Sequence, residues 1–139
     1  MTDHALLALL ASRTGGVLAT LKRDGLPQLS NVSYTFDEST RLIRVSLTDD
    51  RAKTRNLRRD PRAVFHVTTE AFYPYVVAEG LAELSPVAAD PHDATVEELI
   101  EVYRLVNGEH PDWDDFRAAM VKDRRLVLRL RVARVYGTA

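Results

Sequence analysis

The connections between the first apolar segments of this chain are too short for its strands to run parallel. Val17 to Lys22 reads as a strand, and so does Leu29 to Phe36. Between them Arg23-Asp24-Gly25 forms a turn, because an Asp-Gly pair tolerates positive φ. A parallel neighbour would need a crossover of roughly a dozen residues or more, so these strands pair antiparallel. Pro27 falls near the start of its strand, where a missing N–H does least harm. Arg41 to Thr48 is a third strand, after the polar turn Asp37-Glu38-Ser39-Thr40, and Ala63 to Thr69 and Tyr73 to Leu84 are two more. In Arg124 to Tyr136, Leu126, Leu128, Leu130 and Val132 alternate with Val127, Arg129 and Arg131, a long strand with one buried face. Six strands in 139 residues imply one domain, mainly β, over 1–139: a closed or nearly closed six-stranded antiparallel barrel with flanking helices.

Three segments carry helical spacing. Thr2 is placed to cap a short helix with Leu6, Leu9 and Leu10 on one face, ended by Gly15-Gly16. Val96, Leu99, Ile100 and Tyr103 form a second apolar stripe, closed by Asn107-Gly108. Asp112 caps a third helix that carries Trp113, Phe116 and Met120. No Gly-rich strand-to-helix turn occurs, which excludes a Rossmann arrangement.

The same sequence narrows the chemistry. Cysteine is absent, so disulfides, thiolate nucleophiles and thiolate-bound metals are excluded. His4, His66, His92 and His110 have no metal-site spacing, and no metal is expected. Ser12, Ser30 and Ser85 lie in no nucleophile elbow. Glu97, Glu98 and Glu101 read as the solvated face of their helix. The N-terminus lacks a signal-peptide pattern and no apolar run approaches ~18 residues, so a cytoplasmic protein without a membrane contact is expected.

One stretch stands out. Asp49 to Arg62, DDRAKTRNLRRDPR, sets six basic residues against three acidic ones where the third strand gives way to a short helix. A helix N-terminus with Arg and Lys beside it can hold a phosphate. Two polar strand faces lead to it: Asn31, Ser33 and Thr35 opposite Val32, Tyr34 and Phe36, and Arg44, Ser46 and Thr48 on the third strand. Nucleic acid ranks last as a partner, because the basic stretch contains no aromatic residue for base stacking and the net charge is −1.

SNVSYTF, RVSLTDDRAKTRNLRRDPR, YVVAEGLAELS and GEHPDWDDFRAAMVKDRRLVLRLRVARVYG together resemble the pyridoxamine 5'-phosphate oxidase-like split-barrel superfamily, and within it the actinobacterial coenzyme F420-dependent reductases. The resemblance implies an FMN-binding type of split barrel, a homodimer, and a cofactor held between subunits. It places Arg51, Lys53 and Thr54 on the cofactor phosphate and Asn31, Ser33 and Ser46 along the ring and its side chain. Tyr75 and Trp113 would close the cleft from one subunit or the other, and Arg55 and Arg58 would meet the carboxylates of the cofactor's tail. The implied activity is hydride transfer from reduced F420 to a conjugated small molecule. FMN is the alternative cofactor, and a noncatalytic cofactor-binding module the alternative role. No catalytic acid is identifiable. The chain shows no Arg-rich extension after Val135-Tyr136-Gly137-Thr138-Ala139, so vitamin B6 synthesis is not expected. A dimer is also expected because Val76, Ala78, Ala82 and Leu84, with Leu126, Leu128, Leu130 and Val132, offer more apolar surface than one small barrel hides.

Overall fold

The computed structural model describes residues 3–139. Thr2, the expected cap of the first helix, lies outside the described residues. The elements run α1 (Asp3–Ala11), β1 (Gly15–Leu21), β2 (Pro27–Ser33), β3 (Thr35–Asp37), β4 (Leu42–Thr48), α2 (Ala52–Arg59), β5 (Arg62–Thr68), β6 (Tyr75–Leu84), α3 (Ala94–Asn107), α4 (Trp113–Lys122) and β7 (Arg125–Thr138). All strand pairs are antiparallel, in the order β2-β1-β5-β6-β7-β4-β3.

Seven strands stand where six were expected, because Leu29 to Phe36 is two strands. Tyr34 separates them. Its side chain is fully buried against Phe65 (ring centroids 4.7 Å apart), its hydroxyl donates to the Leu10 carbonyl, and its N–H donates to the Thr14 carbonyl. β2 and β3 sit on opposite edges of the sheet, so the barrel is closed at this seam by the covalent chain through Tyr34 and not by a ladder of hydrogen bonds. The break also corrects the polar face: Asn31 and Ser33 stay exposed, but Thr35 is buried.

The barrel interior takes Leu18, Ile43, Val45, Leu47, Phe65, Val67, Val76, Ala78, Leu126, Leu128 and Leu130, and α1 adds Leu6, Leu7 and Leu10. Leu7, not the expected Leu9, joins the fully buried face of α1, and Gly15-Gly16 open β1 instead of ending the helix. The apolar faces of β6 and β7 cited above for a dimer are interior: Val76, Ala78, Leu126, Leu128, Leu130 and Val132 are buried, and Ala82 and Leu84 pack against them. One barrel therefore hides that surface.

A second core lies outside the sheet, where Val96, Leu99 and Ile100 of α3 and Phe116 of α4 pack on Val127. Val127 is thus buried on the face read as solvent-facing. The acidic residues of α3 are not free either. Arg44 lies 2.8 Å from Glu101, Arg129 donates to Glu98, and Arg117 lies 2.6 Å from Glu97. α3 is pinned to β4 and β7 by charge as well as by packing.

Among the described residues, the opposite outer face, on β2, β1, β5 and β6, carries no helix. Leu29 and Leu81 are exposed there, and Val17 and Val64 half-buried. No helix among the described residues is long and apolar enough to cross a membrane.

Candidate functional site

The period-2 rule sends Ile43, Val45 and Leu47 into the barrel and leaves Arg44, Ser46 and Thr48 outside. Arg44 is taken by α3, so Ser46 and Thr48 alone of this stripe face open space. The chain then turns at Asp49-Asp50, and Arg51 becomes the N-cap residue of α2 with extended backbone and no side-chain cap. The first N–H groups of the helix stay free, a favourable setting for an anion. Arg51 Nε donates to Thr48 Oγ1 at 3.1 Å, which holds the guanidinium over the end of β4.

These groups line a cleft of about 530 Å³. One wall is polar: Asn31 and Ser33 from β2, and Ser46 and Thr48 from β4. Three cations, Arg51, Lys53 and Arg125, close its end, and no carboxylate lines it. The other wall is apolar, built by Leu99, Val102, Tyr103 and Val106 of α3 and Phe116 and Met120 of α4. Among the described residues none of the three cations has a salt bridge. Burial lowers the Lys53 pKa below its ordinary value, and the positive charges of Arg51 and Arg125 lower it further. Arg125 donates to Ser46 Oγ at 3.3 Å, while its buried Nε has no partner among the described residues.

Five of the expected ligand residues, Asn31, Ser33, Ser46, Arg51 and Lys53, thus meet in one cleft. Three do not. Thr54 is fully buried and donates its hydroxyl to the Thr48 carbonyl at 2.7 Å, so it locks α2 to β4 and does not face the cleft. Tyr75 does not line the cleft; it lies on the outer face of the sheet, stacked on His66 with centroids 5.8 Å apart. Trp113 packs behind the apolar wall, edge-on to Tyr103 and Phe116, with Arg104 over its ring at 4.7 Å. In its own protomer neither aromatic residue closes the cleft.

Arg55 and Arg58 project to the far side of α2. There, with Lys22, Arg23 and Arg59, they line a separate cavity of about 630 Å³. Arg55 donates to the Asp50 carbonyl and Arg58 pairs with Asp49 at 2.6 Å. Arg125 and the apolar wall were not among the expected ligands. The signal for Arg125 was its place in the alternation Arg125, Val127, Arg129, which the pairing of Thr48 with Arg125 brings beside the basic turn.

What this arrangement can do follows from its parts. The cationic end fits a phosphate group, and the orphaned Arg125 Nε supplies a donor that lacks an acceptor among the described residues. The short polar side chains fit a polyhydroxylated chain, and the apolar wall fits a flat ring. No group of three His, Asp or Glu among the described residues could hold a metal ion.

Comparison with known proteins bears on this geometry. Residues 2–139 match the family described as pyridoxamine 5'-phosphate oxidase. The chain is 30% identical over 139 residues to an F420H(2)-dependent biliverdin reductase of Mycobacterium tuberculosis (strain CDC 1551 / Oshkosh), covering all of this chain and 89% of that protein. A solved F420 reductase superposes with a TM-score of 0.71 at 24% identity, covering 93% of this chain and 94% of that one. A conserved hypothetical protein from Mycobacterium tuberculosis gives 0.72 at 24% identity, with 97% and 82% covered. These two structures share the fold of this chain.

Proposed function

Since the chain belongs to the pyridoxamine 5'-phosphate oxidase family, we propose that it is an oxidoreductase that binds reduced coenzyme F420 in the Arg51–Lys53–Arg125 cleft and reduces a flat, conjugated small molecule. The observation that carries this reading is the set of three cations without a carboxylate, one of them with a buried unpartnered N–H, at the end of a cleft with one polar and one apolar wall. The F420H(2)-dependent relative supports the choice of cofactor. When bound, the deazaflavin supplies a hydride.

The chain's own residues do the rest. Arg51, Lys53 and Arg125 hold the phosphate. Asn31, Ser33 and Ser46 orient the side chain and the polar rim of the ring, and the α3–α4 wall excludes water from the reacting face. Arg55 and Arg58 lie one helix face away from Arg51 and Lys53, within the reach of a carboxylate tail that leaves the phosphate and crosses the first turn of α2. FMN also carries a phosphate on a ribityl chain but lacks such a tail, so the far cavity favours F420. Two copies of the chain pair through the bare outer face of the sheet, which carries exposed Leu29 and Leu81.

Titration of the purified chain with F420 and with FMN tests the cofactor, and biliverdin serves as the probe of turnover because a relative is named for it. The expected result is tighter binding of F420, and bleaching of biliverdin by the reduced complex in air without peroxide formation. Tight FMN binding with no F420 binding overturns the cofactor, and F420 binding without turnover of biliverdin or other conjugated probes favours a carrier module.

A further inference from the structure

The loop between β5 and β6 carries two aromatic side chains in solvent. Phe72 is 69% exposed and Tyr73 80%, and their rings meet edge to face at 5.4 Å. The backbone beneath them is held in an unfavourable shape. Phe72 has φ of 73°, a region that bulky side chains seldom occupy, and across it the Tyr73 N–H donates to the Ala71 carbonyl at 2.9 Å. This is a three-residue γ-turn of the strained hand.

Neighbouring groups fix it. The Phe72 N–H donates to the Thr69 carbonyl, and the Thr68 hydroxyl lies 2.7 Å from the Phe72 carbonyl oxygen and 2.8 Å from that of Pro74. Strain that the surroundings enforce, on residues left mostly exposed in their own protomer, points to a use outside it.

The surroundings narrow that use. A lipid surface fits poorly, because Glu70 stands in the loop and no Lys or Arg does. A separate protein partner would need roughly 1,200 Å² of total buried surface, far more than two side chains offer. The tip does, however, join β5 and β6, two strands of the bare outer face of the sheet. At its foot His66 and Thr68, together with Asn31 and Ser33, line a shallow cavity of about 460 Å³, and Asn31 and Ser33 also line the cationic cleft. The tip-bearing face and the cleft therefore share the edge strand β2. In an isologous pair, what borders the interface in one copy meets the other copy. The cleft has a polar wall, an apolar wall and a cationic end, and its own protomer supplies no aromatic cover on the β2 side.

We propose that in the dimer each Phe72–Tyr73 tip covers the cleft of the other copy and stacks on the planar ring held there, an inference that rests on the homodimer and cofactor readings above. The test uses the full chain with F420 and FMN as probes, and begins with the wild type. A wild-type protein that sediments as a monomer, or that binds neither cofactor, removes those underlying readings and the tip's role with them. For a cofactor-binding dimer, the double variant Phe72→Gly with Tyr73→Ala should stay dimeric. It should melt no lower than wild type, since Gly accepts the positive φ. Its cofactor dissociation constant should rise about tenfold, as expected for the loss of an aromatic stack.

An unchanged dissociation constant in a dimeric variant overturns the inference. Mixing supplies the second arm. Dimers reconstituted from Lys53→Ala chains and tip-variant chains should recover wild-type affinity at one site in two, because one cleft then has both an intact lysine and an intact tip. Recovery at neither site places the tip on the cleft of its own copy and overturns the inference equally.

Discussion

Lys53 shows how a binding site is bought with stability. Its ammonium is partly withdrawn from water and faces two like charges, so the folded chain holds this proton less tightly than the unfolded chain does. Stability of the ligand-free protein therefore rises as pH climbs from the lowered folded value toward 10.5, and phosphate binding reverses that trend by restoring the proton. Lys53→Met should raise the thermal midpoint of the ligand-free protein slightly. It should weaken cofactor binding by ~1.5–3 kcal/mol, the range for a hydrogen bond to a charged group. Calorimetric scans with and without cofactor check both signs. At this scale the sequence is legible where a residue's placement follows from its own strand or turn. Asn31, Ser33 and Ser46 fall on polar faces by simple alternation, and Arg51 and Lys53 by their place at a helix start. Thr54 was misread because a threonine in the first helical turn can donate inward as readily as outward, and burial decides. Arg125 was missed because its role depends on a pairing with Thr48 that spans most of the chain.

Elements are held here by a few polar contacts that fix packing which apolar surface alone would leave loose. Tyr34 is the clearest case, since its hydroxyl ties the seam between β2 and β3 to the C-terminal turn of α1. Burial pushes that phenol's pKa well above its ordinary value, so it stays a donor throughout the physiological range. Tyr34→Phe should leave the Leu10 carbonyl without this partner and destabilise the chain by ~1–3 kcal/mol, measured by urea unfolding, with faster amide exchange in α1 than elsewhere. The strand count was misjudged at this same residue, because alternation of Val32, Tyr34 and Phe36 reads as one continuous strand. Only the requirement that Tyr34 reach α1 breaks it. β7 hides a second irregularity. Its register against β6 shifts between Glu79 and Gly80, so Val132 and Val135 both point inward although they are three apart. Gly80 sits at the shift, where an added Cβ would lie 1.9 Å from the Arg131 carbonyl oxygen.

At the scale of the whole molecule, the proposed homodimer loses the argument first made for it and gains another. The apolar faces of β6 and β7 fill the barrel, but Leu29 and Leu81 stand exposed on a sheet face without helices. Sedimentation at micromolar protein should find a dimer, its midpoint of thermal unfolding should rise with protein concentration, and added cofactor should strengthen association by mass action. Replacing Leu81 by Asp should shift the equilibrium toward monomer. A sedimentation profile that is monomeric for the wild type, with full cofactor affinity, overturns the pairing and the shared cleft together.

The position of β7 carries a consequence for biosynthesis. It is the central partner of both β6 and β4, so until it has left the ribosome β4 has only the three-residue β3 beside it. It also brings Arg125 to the cleft and Val127 to the packing of α3 and α4. Closing the sheet, seating the helices and completing the proposed phosphate grip thus all await β7, and β4 keeps the edge facing it unpaired until then. A nascent chain short of β7 has neither a finished barrel nor the proposed grip, so capture of the proposed cofactor would report that translation has passed β7 and the barrel has closed.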